Sequence, residues 1–435
     1  MGSTRVAGMN APAPLPWLAP YRDTPIDAQV LVPSSKSLTN RALVLAALAE
    51  GPSTVRRALV SRDTTLMVGA LNALGATIER DGIDWHVTPV PDAGEVPVQV
   101  DCGLAGTVMR FVPPLAALTH RSVTFDGDPR ARERPMATTI TALRGLGVDV
   151  QDDGRGALPF TVHGSGSVAG GGLDLDASSS SQFVSALLLA APRFGAGLDL
   201  RHVGPSLPSL PHVEMTVAEL RRRGVLVDDG RPDRWQISPG PIAALDVEIE
   251  PDLSNAGVFV AAALVTRGRV RVRGWPETTQ QAGDAWRDIV VAFGGHVERD
   301  GADLVLGTDR PLQGVELDLH DVGELTPVVA ALAALAEGPS RLTGVAHLRG
   351  HETDRLAALA TEINRLGGHV TELDDGLEIE PRPLHGAIFE TYDDHRMAHA
   401  AVVLALRVPE VFVEDVSTTV KTYPNFAPVW ERLVS

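Results

Sequence analysis

The chain has a single cysteine, Cys102, so no intrachain disulfide can form, which fits a reducing compartment. Read alone, Cys102 is a small half-buried apolar residue rather than a nucleophile. Basic residues are also scarce. The net charge is −17, which argues against a nucleic-acid partner, since that calls for a basic face. The same deficit makes any local cluster of Lys and Arg more informative. Long apolar runs are missing too. "GVFVAAALV" and "VVAALAALA" reach about half a membrane span, and the proline-rich N-terminal "MGSTRVAGMNAPAPLPWLAPY" lacks the apolar core of a secretory signal. The expectation is a soluble, cytoplasmic protein with no membrane or nucleic-acid partner. Its 435 residues exceed what one core usually serves, so two domains are expected.

What is present is first visible in "VPSSKSLTNRALVLAALAEGP", Val32 to Pro52. Ala42 to Ala49 is good helix-forming composition, and Glu50-Gly51-Pro52 is a stop signal. The start is unusual. A helix N-terminus carries partial positive charge and normally recruits Asp or Glu. Here Lys36 and Arg41 stand among Ser34, Ser35, Ser37 and Thr39. Either these are solvated cations beside an ordinary Ser or Thr cap, or they bind an anion together.

The pattern of an Ala-rich apolar helix, a short turn and a β-branched strand recurs six times. The copies are "NRALVLAALAEGPSTVRRA", "GTVMRFVPPLAALTHRSVTFDG", "SQFVSALLLAAPRFGAGLDLRHV", "NAGVFVAAALVTRGRVRVRGW", "LTPVVAALAALAEGPSRLTGV" and "HRMAHAAVVLALRVPEVFVEDV". They start roughly 65–75 residues apart, long for a solenoid unit but suited to a small α/β subdomain. Between them an amphipathic helix leads into a Gly-ended turn and a hairpin, as in "TTLMVGALNALGATIERDGIDWHVTP". Five copies have this hairpin; the sixth ends at the helix "NFAPVWERLVS". The N-terminal strand "DAQVLVP" is expected to supply its missing strands. Six units then divide three and three, with residues 33–251 inserted into a second domain made of 1–32 and 252–435.

Eight ordered segments carry a resemblance: "PSSKSLTNRAL", "LAGTVMR", "PRARERP", "SSSSQFVSALLLAAP", "SLPSLPH", "HETDRL", "YDDHRMAHA" and "VKTYPNF". Together they make the chain similar to the 5-enolpyruvylshikimate-3-phosphate (EPSP) synthases from about Asp27 onward. The resemblance implies an α/β fold, a two-domain inside-out α/β barrel with three repeats per domain around buried parallel helices. It implies transfer of the enolpyruvyl group of phosphoenolpyruvate to the 5-hydroxyl of shikimate 3-phosphate, with release of phosphate and without cofactor or metal. Both substrates are multiply anionic, so cations in fixed geometry are needed. By resemblance, Lys36, Ser37, Arg41, Ser180, Ser181, Gln182, Ser209, Glu324 and His351 hold shikimate 3-phosphate. Lys36, Gly106, Arg134, Gln182, Arg355, Arg396 and Lys421 hold phosphoenolpyruvate, with Thr107 beside Gly106 at the second copy's helix start. Glyphosate occupies the phosphoenolpyruvate site in this family. The expected assembly is a monomer.

The reaction needs a base for the hydroxyl and an acid for the enol methylene. By resemblance Glu324 is the base, one methylene longer than the Asp common at this position. Lys36, His351 and Glu352 remain candidates for the acid. His351 stands where Lys is common, His347 where Asn is common, and His212 where Tyr is common. "DDHRMAH" also sets His395 and His399 on one helical face beside Asp394, a zinc-like spacing without a third ligand motif; Asp393 or Asp394 as helix cap, with Arg396 reaching an anion, is the preferred reading. Two alternatives stay open: a UDP-N-acetylglucosamine enolpyruvyl transferase, which relies on a loop cysteine as acid, and a noncatalytic phosphometabolite-binding protein.

Overall fold

A helix apolar on every side must be buried on every side. The six apolar segments form such helices in the computed structural model, which describes residues 15–90 and 95–434; most of the proline-rich N-terminal segment lies outside the described residues. They are α1 (Lys36–Ala47), α2 (Gly106–Ala117), α3 (Gln182–Ala190), α4 (Leu253–Val265), α5 (Thr326–Ala334) and α6 (His395–Ala405). Every residue of α4, α5 and α6 is buried, and α1, α2 and α3 are buried beyond their first residues. Each helix is followed by a strand, and five of the six copies add an amphipathic helix and an antiparallel hairpin, such as Thr77–Asp81 with Asp84–Thr88. The fold is α/β, with six small mixed sheets around the buried helices among the described residues.

Each copy's strand also takes a parallel neighbour. In the second, third, fifth and sixth copies that neighbour directly precedes the copy's own helix, as Val98–Asp101 does beside Ser122–Asp126. The first and fourth copies exchange theirs. Asp27–Val30, which precedes α1, pairs with Arg269–Val272 after α4, and Val247–Glu248, which precedes α4, pairs with Ser53–Arg56 after α1. This corrects the expectation that "DAQVLVP" completes the sixth copy. The sixth sheet is closed instead by Trp17–Leu18, antiparallel to Phe412–Val413. A β-branched run announces a strand but not its partner, which depends on where the chain crosses.

Buried apolar residues form two clusters, one from Ala42 to Ile249 and one from Ala19–Val32 joined to Leu253–Val434. The two crossings between them run side by side: Ser35 N donates to Glu250 O at 2.8 Å, Asp252 N to Pro33 O at 2.8 Å, and Ser34 bridges Pro251. Within each cluster the three buried helices touch one another, so the contact surfaces tolerate little change in volume. Gly257 shows how tight they are. A methyl group there would overlap the Trp286 indole, itself buried. Gly257→Ala is expected to destabilise by about 1–3 kcal/mol through overpacking, despite alanine's better helix propensity. An unchanged melting temperature would mean that this contact relaxes freely.

Candidate active site

The N-termini of the six buried helices open onto one cleft between the two clusters. Their partial positive charge makes the cleft an anion site before any side chain is counted. At α1, Ser35 is the cap and accepts from Leu38 N, and no acidic residue occupies the first turn. Lys36 Nζ lies 3.2 Å from Asp63 Oδ2, an acid at the start of the neighbouring helix Arg62–Leu74. Arg41, 2% exposed, has no carboxylate partner among the described residues. It is held by four neutral oxygens: Thr216 Oγ1 at 2.8 Å, His212 O at 2.8 Å, Ser37 O at 3.1 Å and Ser185 Oγ at 3.4 Å. Burial pushes its guanidinium down to about 10, with Glu219 and Glu324 opposing, so it stays a cation at neutral pH. The solvated reading of these cations fails.

At α2, the absent side chain of Gly106 is what lets three polar groups converge. A Cβ there would stand 2.9 Å from Arg110 Nη1, 3.1 Å from Arg134 Nη1 and 3.1 Å from Gln182 Oε1. Gln182 Oε1 and both Arg Nε atoms are buried without a partner among the described residues. Arg110 is stacked 5.2 Å from the Phe183 ring, and burial together with Arg134 holds it well below the usual guanidinium range.

The opposite wall is organised by carboxylates. Asp394 caps α6, accepting from Arg396 N at 2.9 Å, and grips Arg355 through Nε at 2.8 Å and Nη2 at 3.1 Å. Arg355 also reaches Glu352 at 3.0 Å, and Glu352 bonds Lys421. Although burial alone would raise Glu352, Lys421 and Arg355 hold it well below the usual carboxylate range, so it is ionised. His351 is the reverse: burial and Arg355 hold it well below 6.5, so it is neutral. Arg355 Nη1 donates to His351 Nδ1 at 3.2 Å, which leaves the ring proton on Nε2. The imidazole at position 351, where Lys is common, is therefore a neutral donor. Glu324 accepts from His212 Nε2 at 2.7 Å and from Ser254 Oγ at 2.8 Å. Burial raises it, but His212, Arg396 and Ser254 together hold it below the usual range.

All the substrate-binding and acid–base residues expected from the resemblance line this cleft except Lys421, which joins it through Glu352. Sequence reading missed Asp63, Arg110, Asp252, Ser254 and Gln281. Arg110 lies inside "LAGTVMR", where nothing in the motif sets it apart; the others reach the cleft through long-range contacts with no local signal. Asp252, for example, accepts from Lys36 N at 3.3 Å across the crossing strands. Of the zinc-like pair, His399 packs its ring 4.9 Å from Phe426, and among the described residues no group of three His, Cys, Asp or Glu could hold a metal ion.

A model of the EPSP synthase (3-phosphoshikimate 1-carboxyvinyltransferase) family matches residues 20–430. The chain belongs to the EPSP synthase family. It is 58% identical over 431 residues to the 3-phosphoshikimate 1-carboxyvinyltransferase of Kocuria rhizophila, with 96% of each chain covered. In fold it resembles EPSP synthase from Acinetobacter baumannii, with a TM-score of 0.77 and 23% identity over 96% of both chains. The enolpyruvyl transferase NikO from Streptomyces tendae is similar in fold too, at TM-score 0.75 and 18% identity, over 96% of this chain and 97% of that one. In this member of the family Cys102 is fully buried outside the cleft lining, and burial pushes its thiol up, so it is unsuited to the acid role a cysteine plays in the rival transferase.

His351, His395 and His399 are all held neutral by burial, and burial pushes His347 down to about 4. Each folded value lies below the unfolded one, so the unfolded chain binds more protons as pH falls through about 6.5. Stability is therefore full above that pH and lost below it. The melting temperature is expected to drop between pH 7 and pH 5, and less steeply in His399→Leu, whose ring nitrogens have no partner to lose. Equal slopes in the two proteins would contradict this.

Proposed function

We propose that the protein transfers the enolpyruvyl group of phosphoenolpyruvate to the 5-hydroxyl of shikimate 3-phosphate and releases phosphate. The observation that carries this reading is the set of cations at helix N-termini around one cleft, in a chain whose net charge is −17 and whose relative of the same activity is 58% identical. The inside-out barrel, with domains 33–251 and 1–32 plus 252–435, is supported by the two apolar clusters and the paired crossings at Pro33 and Pro251. The reading takes the protein as a cytoplasmic monomer.

Lys36, Ser37, Arg41, Ser180, Ser181, Gln182 and Ser209, with Glu324 and His351, hold shikimate 3-phosphate in this reading. Gly106, Arg134, Gln182, Arg355, Arg396, Lys421 and Lys36 hold phosphoenolpyruvate. Glu324, ionised at rest, takes the 5-hydroxyl proton as the oxygen attacks the enol carbon. A bound anion that satisfies Arg396 removes part of what holds Glu324's proton affinity down. Of the three acid candidates, Glu352 is ionised and His351 neutral, which favours the Lys36 ammonium as donor to the methylene. Elimination then removes a methyl proton and expels phosphate.

Phosphate release on mixing both substrates tests the reading against the rival transferase and the noncatalytic binder. Glu324→Gln should lower turnover by roughly 10²–10⁴-fold with shikimate 3-phosphate binding nearly intact; near-normal turnover would remove it as the base. Arg396→Ala should mainly raise KM for phosphoenolpyruvate, and unchanged saturation would refute the anion assignment. Glyphosate should compete with phosphoenolpyruvate, and Gly106→Ala should weaken glyphosate more than the shorter substrate, because the new methyl pushes against Arg110, Arg134 and Gln182. Equal inhibition of both proteins would show that Gly106 does not face the inhibitor.

A further inference from the structure

The two sides of the cleft touch directly at several places, as where Arg130 Nε donates to Glu352 O at 3.0 Å, and one such contact bears on Glu324. The segment from Ser206 to His212 belongs to the first half, and the turn from His320 to Glu324 to the second. Ser206 Oγ and Leu207 O both lie 3.0 Å from His320 Nε2, and Ser209 N donates to His320 O at 3.0 Å. Ser209 adopts φ +56°, a left-handed turn that a serine enters only when its surroundings fix it. Two residues on, Pro211 starts the helix Pro211–Arg222 and His212 projects across to Glu324.

Glu324 receives one donor from each half: Ser254 Oγ on Oε1 at 2.8 Å from its own side, and His212 Nε2 on Oε2 at 2.7 Å from the other. An ionised carboxylate only accepts, so the shared proton is His212's. The backbone carbonyl of His212 in turn accepts from Arg41, which ties the imidazole to the cation assigned to the shikimate side. The bond between His212 and Glu324 can exist only while the two halves stand at this separation.

We propose that His212 is a positioning residue for the reaction: by donating across the cleft it fixes the carboxylate of Glu324 in the orientation that accepts the substrate hydroxyl proton, so the base is complete only while the two halves meet here. This rests on the reading of Glu324 as base. A carboxylate held by Ser254 alone would retain one donor and regain rotational freedom about its terminal torsion, and its reactive lone pair would be aimed in only a fraction of encounters. Substrate binding, carried by the cations, would be little affected. His212 thus bears on turnover rather than on affinity.

The test is steady-state phosphate release by the full-length protein carrying His212→Leu, His212→Gln, Glu324→Gln and the double variant His212→Leu/Glu324→Gln. His212→Leu should lower kcat by roughly 10–100-fold while both KM values stay within about threefold. His212→Gln keeps an amide donor and should recover most of kcat, which also guards against a leucine variant that folds poorly. In the Glu324→Gln background the leucine substitution should cost less than about twofold, because the carboxylate it serves is gone. A wild-type kcat in His212→Leu, no recovery in His212→Gln, or an equal loss in both backgrounds would each overturn the inference. Near-normal turnover in Glu324→Gln alone would instead bring down the base assignment beneath it.

Discussion

Asp394 is the residue on which the cleft depends. Wholly buried, it closes the N-terminus of α6 and holds the Arg355 guanidinium by two bonds. Arg355 starts the helix Arg355–Arg365, so the carboxylate joins two helix starts of different copies. Through Arg355 it orders Glu352 and with it Lys421; through the helix cap it sets the root of Arg396. Removing one partner of such a buried pair leaves an uncompensated charge, so the cluster stands or falls together.

The distribution of charge follows from one physical difficulty. Cations gathered around one cleft repel one another, and burial makes each of them harder to keep charged. The protein relieves this in two ways. On one wall, carboxylates interleave with the cations, as in the row Lys421, Glu352, Arg355, Asp394. On the other, Arg41 rests on neutral oxygens and the Phe111 face, 5.3 Å away. Arg110 and Arg134 have the least support, with buried nitrogens still unpartnered, and they stand where the absent Cβ of Gly106 leaves room for a ligand.

Much of this was legible in the residues, and the failures share a cause. The six buried helices were visible because an Ala-, Leu- and Val-rich segment without a polar face has only one place to go. The hairpins were visible through Gly and Asp turns. The strand partners were not: "DAQV" looks the same whether it pairs with the fourth copy or the sixth. The cations of the cleft were found from motifs whose basic residues a −17 chain would otherwise have little reason to gather. Asp63 beside Lys36, Ser254 beside Glu324 and the pairing of His212 with Glu324 were not found, since each contact joins distant segments. Protonation was the least legible property. Nothing in the sequence around position 351 tells that burial and Arg355 keep its imidazole neutral.

The exchanged strands also bear on how the chain is born. Asp27 leaves the ribosome 242 positions ahead of Arg269, the residue beside it in the finished sheet. At translation rates of about 5–20 residues per second, that strand waits roughly 10–50 s for its neighbour. The sheet after α1 likewise lacks Val247–Glu248 until the whole first half has been made. Neither half can finish its sheets from a contiguous stretch of nascent chain. The open edges exposed in the interval are where a chaperone would be of most use and where truncated products would aggregate.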